Sequence, residues 1–233
     1  MTNGMYLALD FHSWEEADRF LTVNQLTDIP VKVGMELFYR EGVNVVKRLR
    51  DRGQHVFLDL KLHDIPTTVY KAMKQIARLD VDYVNVHAFG GREMIKAAKQ
   101  GLVEQQSRET KLLAVTILTT MDESSLSDQL TITTGLQDTV VQLSKLAQSG
   151  GADGVVCSAH EVGQLKAACG DDFLTMTPGI RLDTSAHDDQ KRVATPAHAR
   201  SLGADAIVIG RSITKAAQPR NAYQDALKEW NHD

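Results

Sequence analysis

Eight short apolar runs recur along the chain, each followed by a longer stretch whose apolar residues return at helical spacing. The runs are residues 5–10 (MYLALD), 30–34 (PVKVG), 55–60 (HVFLDL), 81–87 (VDYVNVH), 112–118 (LLAVTIL), 153–157 (DGVVC), 173–177 (FLTMT) and 205–210 (DAIVIG). Val, Ile and Leu dominate them, the pattern of parallel strands buried on both faces. The helical stretches are predicted over 14–21, 42–52, 67–79, 91–102, 137–148, 161–168, 196–202 and 219–230. Ser13 is a good N-cap with Glu16 three positions on, as in a capping box. Gly53 stands where a helix stops, and Pro196 and Pro219 stand where a first turn tolerates proline. Eight strand–helix units predict an α/β fold, an eight-fold parallel β/α (TIM) barrel, rather than an open sheet. Two connections are long and polar, 119–135 and 181–191, and such loops often serve as lids. No Pro/Ser-rich linker interrupts the pattern, so residues 1–233 are expected to form one domain.

Composition narrows the partners. Lys plus Arg number 26 against 30 Asp plus Glu, a net charge of −4. That balance offers no electrostatic reason to expect nucleic acid or an anionic membrane as partner. No run approaches the ~18 apolar residues of a membrane-spanning helix, and residues 1–4 (MTNG) show no basic stretch leading into an apolar one. Cys157 and Cys169 form no CxxC pair. Neither a disulfide framework nor a structural zinc site is expected, and a reducing cytoplasmic location fits.

In such barrels chemistry collects at the C-terminal ends of the strands. Charged and polar residues stand there: Asp10, Lys32, Asp59, Lys61, Asp64, His87, Thr119 and the Gly210–Arg211 pair. Alternation along the third strand puts Asp59 and Lys61 on one face, with Leu58, Leu60 and Leu62 on the other. Buried charges need partners, and Asp59 and Lys61 suit each other, with Lys32 as a second cation. An inward ion pair that only stiffens a barrel layer would account for Asp59 and Lys61 alone; three neighbouring strand ends that all carry charge favour chemistry. No HExxH or comparable metal spacing occurs, and two lysines would repel a cation. The eighth strand ends in Gly210–Arg211, and the seventh runs into Pro178-Gly179-Ile180-Arg181. Glycine lets backbone approach an anion and arginine adds a bidentate charge, so the two pairs predict an anion site at the position where barrels often hold phosphate. Neither a Walker-type loop nor a strand-linked GxGxxG is present, which disfavours nucleoside triphosphates and dinucleotides.

The block Asp59-Leu60-Lys61-Leu62-His63-Asp64-Ile65-Pro66 resembles the signature of the orotidine 5′-phosphate decarboxylase family. The resemblance extends in order through Ala8-Leu9-Asp10, Lys32-Val33-Gly34, residues 84–88 (VNVHA), Leu118-Thr119, Pro178-Gly179-Ile180-Arg181, Asp189-Gln190-Lys191-Arg192 and Ile209-Gly210-Arg211. Thr120 departs from it, since many members carry serine there. The resemblance implies a homodimeric barrel without metal or organic cofactor, converting orotidine 5′-phosphate to UMP and carbon dioxide at the end of de novo pyrimidine synthesis. It implies a charged network of Lys32, Asp59 and Lys61, completed by Asp64 from a partner subunit. Loss of carbon dioxide leaves a carbanion in the ring plane that needs a fixed charge and a proton beside it, and Lys61 is the expected donor. Asp10 and Lys32 would bond ribose hydroxyls. Thr119 and Thr120 would face the base. Gln190, Gly210 and Arg211 would hold the phosphate, with Arg181 on the same loop. Leu60, Leu62, His63, Ile65, Pro66, Thr67 and Thr68 join the substrate-binding set, Thr68 reaching across the dimer interface. Two rivals share some of these features. One is a Mg²⁺-dependent sugar-phosphate barrel with the same DxKxxD motif; the other is a non-catalytic nucleotide-binding barrel.

Overall fold

The computed structural model describes residues 4–105, 110–182 and 192–231. Eight parallel strands close on themselves in chain order: β1 (Met5–Ala8), β2 (Val31–Gly34), β3 (Val56–Leu62), β4 (Tyr83–His87), β5 (Lys111–Val115), β6 (Gly154–Val156), β7 (Leu174–Ile180) and β8 (Ala206–Ile209). All eight predicted strands are present, each within a few residues of its apolar run. The ladder that closes the ring pairs Met5 with Ile207 and Leu7 with Ile209.

The helices are α1 (Trp14–Val23), α2 (Met35–Glu41), α3 (Val43–Asp51), α4 (Pro66–Ile76), α5 (Gly91–Glu104), α6 (Glu123–Leu130), α7 (Leu136–Ser149), α8 (Val162–Cys169), α9 (Pro196–Ser201), α10 (Arg211–Thr214) and α11 (Pro219–Asn231). Three were not predicted, for physical reasons. α2 follows β2 with no intervening turn, so its onset carries no punctuation. α6 lies inside the long 119–135 connection and buries only Leu126, leaving almost no apolar stripe to read. α10 is a single turn. The cap of α1 differs slightly from the expected box. Ser13 Oγ accepts from Glu16 N at 3.3 Å as predicted, but Glu16 Oε2 accepts from His12 N, one residue before the N-cap.

Side-chain parity along the strands sorts two cores. Leu7, Leu9, Val31, Val33, Val56, Leu58 and Leu60 pack outward against the helices. Tyr6, Ala8, Phe57, Leu113, Val115, Val156, Met176, Ala206 and Val208 fill the barrel interior. Tyr6, Phe57 and Tyr83 meet edge to face there, with ring centroids 5.7–6.4 Å apart, an arrangement aromatic quadrupoles favour. The rings plug the barrel, so it encloses no pore. Two residues further along the same inward parity come Asp10 after Ala8 and Asp59 after Phe57. The alternation that packs the plug therefore delivers the carboxylates to the open rim.

Candidate active site

A cavity of about 570 Å³ opens at that rim. Asp10, Lys32, Asp59 and Lys61 line one side of it. Lys32 Nζ lies 2.7 Å from Asp10 Oδ1 and 3.8 Å from Asp59 Oδ2, and Lys61 Nζ lies 2.6 Å from Asp59 Oδ1. The four side chains thus form a row of alternating sign, Asp10–Lys32–Asp59–Lys61. Lys32 and Asp59 are its buried centre, while Asp10 faces solvent. Gly34 makes room for the row: a Cβ there would come within 3.1 Å of Lys32 Nζ and 3.5 Å of Asp10 Oδ1.

Simple alternation does not carry Lys61 to its place. Its φ is +52°, in the left-handed region, and the register of β3 against β4 shifts between Leu58 and Leu62. A non-glycine residue in that region needs support from its surroundings. Asn85 on β4 supplies it. Its Oδ1 accepts from Lys61 N at 2.7 Å, and its Nδ2 donates to Asp59 Oδ1 at 2.7 Å. Asn85 is fully buried, so one amide holds both the backbone of the lysine and the carboxylate facing it. This residue was missing from the predicted set. Its signal was a single amide inside the apolar run around Val84 and Val86, where a polar side chain needs a buried partner.

Burial pushes the Asp59 carboxyl up, but the Lys32 and Lys61 ammonium groups and the hydrogen bonds from Lys61 and Asn85 outweigh it and hold the group below its ordinary value. Burial, with His63 and Lys61 close by, pushes the His87 imidazole down, and its ring stacks between His63 and Phe89. That describes a neutral wall residue. Cys157 also lines the cavity, but burial pushes its thiol up to about 12, so it is inert as a nucleophile at neutral pH.

The other walls hold the predicted anion and base residues. Gly179 on β7, Arg181 just after it, and Gly210 and Arg211 just after β8 line the same cavity. Gly179 has a φ of +82°, which an L side chain rarely adopts. Ile117, Leu118, Thr119 and Thr120 form the wall beyond β5. Gln190 and most of the predicted 181–191 lid lie outside the described residues.

Part of the predicted set stands apart from the cavity. Leu60 is buried on the helix side and Leu62 packs against the same core. His63, Asp64, Ile65, Pro66, Thr67 and Thr68 form an unbroken exposed stretch, with Ile65 66% exposed. Asp64 Oδ1 accepts from Ile65 N at 2.6 Å, and among the described residues no ion pair joins Asp64 to the charged row. Among the described residues, no three His, Cys, Asp or Glu side chains converge as metal ligands.

A family model described as "Orotidine 5'-phosphate decarboxylase / HUMPS family" matches residues 4–226. The chain belongs to the orotidine 5′-phosphate decarboxylase / HUMPS family. It is 49% identical over 233 residues to an orotidine 5′-phosphate decarboxylase of Shouchella clausii, covering 99% of this chain and 98% of that one. It is 51% identical over 227 residues to the enzyme of the same name from Bacillus pumilus, covering 96% and 97%. Among solved structures, an orotidine 5′-phosphate decarboxylase from Lactobacillus acidophilus superposes with a TM-score of 0.87 at 43% identity, covering 97% of this chain and 98% of that one. An uncharacterized conserved protein from Geobacillus kaustophilus superposes at 0.86 with 46% identity, covering 97% and 100%.

Proposed function

We propose that this chain decarboxylates orotidine 5′-phosphate to UMP and carbon dioxide, the last step of de novo pyrimidine (UMP) biosynthesis. The observation that carries the reading is the Asp10–Lys32–Asp59–Lys61 row, set in one cavity with two arginines and two threonines on its other walls. Breaking the bond to the carboxylate leaves its electron pair on a ring carbon, in the plane of the pyrimidine. The ring π-system lies perpendicular to that pair and cannot spread it. The site must meet the charge with fixed charge of its own, which is the largest contribution in many enzymes. Lys61 does this and gives the carbon a proton from Nζ, while carbon dioxide departs. Asp59 and Asn85 fix Lys61 in place beforehand, so no reorganisation is needed as the charge develops. Lys32 and Asp10 present a donor and an acceptor to the ribose hydroxyls. Thr119 and Thr120 face the base. Arg181, Gly210 and Arg211 take the phosphate, with Gln190. Because the phosphate does not react, its binding energy can serve to order the site around the reacting carbon.

A second copy of the chain completes the site in this reading. The exposed 63–68 stretch begins two residues after Lys61 and carries an apolar residue, a carboxylate and two hydroxyls. Burial in a homodimer would cover it, and would let Asp64 and Thr68 of each copy reach the other's cavity. Both cysteines are free, in keeping with a cytoplasmic setting, and among the described residues no helix is long and apolar enough to cross a membrane.

The direct test follows the ultraviolet absorbance of orotidylate with purified protein. The absorbance falls as UMP forms, at the same rate with and without EDTA. Absence of turnover would favour a binding barrel or a sugar-phosphate enzyme, and loss of turnover with EDTA would overturn the metal-free reading. The phosphate assignment has its own test. Arg211→Ala raises the KM for orotidine 5′-phosphate about 10- to 100-fold, the worth of a hydrogen bond to a charged group, with a smaller change in kcat. An unchanged KM would place the phosphate elsewhere.

A further inference from the structure

We propose that Arg192 is a positioning residue that ties the base end of the cavity to its phosphate end. This rests on the decarboxylase reading above and assigns a role to a residue that touches neither ring nor phosphate. The Arg192 guanidinium pairs with Glu161 through Nη1 and Oε1. Its Nη2 donates to the carbonyls of Ile117, at 3.2 Å, and Leu118, at 3.1 Å. Those carbonyls immediately precede Thr119 and Thr120 on the cavity wall. Two residues beyond Arg192, Ala194 bridges Ile180 on β7. Arg181 N donates to Ala194 O at 2.9 Å, and Ala194 N donates to Gly179 O at 3.2 Å. The three residues 192–194 are therefore bonded at one end to the threonine wall and at the other to Gly179 on β7 and to Arg181 just after it. Between them, Val193 O meets His160 Nε2 at 3.2 Å.

The carboxylate that anchors this tie is itself immobilised. Glu161 Oε2 accepts from Ser158 N at 2.8 Å, closing the turn that leads into α8. The Glu161 side chain is only 4% exposed and that of Arg192 15%. A buried ion pair adds little net stability over well-packed apolar groups, so a stability role alone explains the pair poorly. What it supplies is geometry. The planar guanidinium serves a carboxylate on one edge and two consecutive carbonyls on the other, which a lysine ammonium cannot reproduce in the same fixed directions. Through it, a shift of the phosphate-side strand is transmitted to the backbone that aims Thr119 and Thr120.

The test is a double-mutant cycle. Thr119→Ala weakens the base end and Arg211→Ala the phosphate end. In the otherwise native enzyme their combined loss of kcat/KM differs from the product of the single losses. In an Arg192→Met background the two losses multiply independently. Arg192→Met alone lowers kcat/KM about 5- to 150-fold, the usual range of coupling between sites. Arg192→Lys does not restore the native value, and circular dichroism and thermal melting report a native barrel. Should Arg192→Met fail to fold, Glu161→Gln is put through the same cycle, since it removes the anchoring charge. Persistence of the native coupling in the Arg192→Met or Glu161→Gln background, or an unchanged kcat/KM, overturns the tie. Absence of decarboxylation by the native protein would instead overturn the reading beneath it.

Discussion

Lys61→Ala lowers turnover of orotidine 5′-phosphate by about four to seven orders of magnitude. The range multiplies what a positioned proton donor contributes, about 10²–10⁴, by what one preorganised charge at a developing anion contributes, about 10²–10³. The barrel stays folded, because the side chain is at the rim and Asp59 keeps Lys32 and Asn85 as partners. Steady-state assay beside circular dichroism separates lost chemistry from lost fold. Turnover near the native rate would remove Lys61 as proton donor. The same variant tests the proposal that two copies share each site. Mixed with Asp64→Ala chains, it recovers about a quarter of the native site activity, because half of randomly paired two-fold dimers then carry one intact site. No recovery after subunit exchange would confine each site to a single chain.

Asp59→Asn lowers kcat/KM by about 10³ or more and changes how stability depends on pH. The carboxylate stands between two ammonium groups; an amide leaves Lys61 without its counter-charge and Lys32 with Asp10 alone, and removes the opposite charge that favours both ammonium forms. It also sets an amide against Asn85 Nδ2, which now donates to Asp59 Oδ1. The native carboxyl is held below its ordinary value. Its contribution to stability is therefore fully present above the unfolded value, about 3.9, and is lost as pH falls through the lower folded value. Denaturation at neutral and at acidic pH should show the native protein's advantage over Asp59→Asn largest at neutrality and shrinking in acid. An advantage independent of pH would mean that the Asp59 charge is not paired as the structure places it.

Much of this architecture is written locally in the chain. Buried parallel strands are continuous apolar runs, so eight of them can be counted without knowing how they pair. A charged residue that ends such a run stands out, and in a barrel strand ends are where ligands bind. That is why Asp10, Lys32, Asp59, Lys61, Arg181 and Arg211 could be singled out one by one, and why all six line a single cavity.

The residues that escaped notice act through partners far along the chain. Asn85 is one polar letter in an apolar run; its hold on Asp59 and Lys61 depends on the register between β3 and β4. Arg192 finds Glu161 from 31 residues away and the Leu118 carbonyl from 74. Lys61 reaches the cavity through a left-handed residue at a register shift, whereas strict alternation would have it arrive on an even pleat. Residues 63–66 close the most recognisable block in the sequence, yet folding leaves them, with Thr67 and Thr68, outward and outside the single-chain cavity. Strand number, inward parity and the kinds of charge at the rim were determined by the sequence itself, because each depends on neighbours within a few residues. Which charges touch, which backbone bends to let them, and which surface is left bare were decided only by closure of the barrel, because those depend on the register between strands that the chain brings together from a distance.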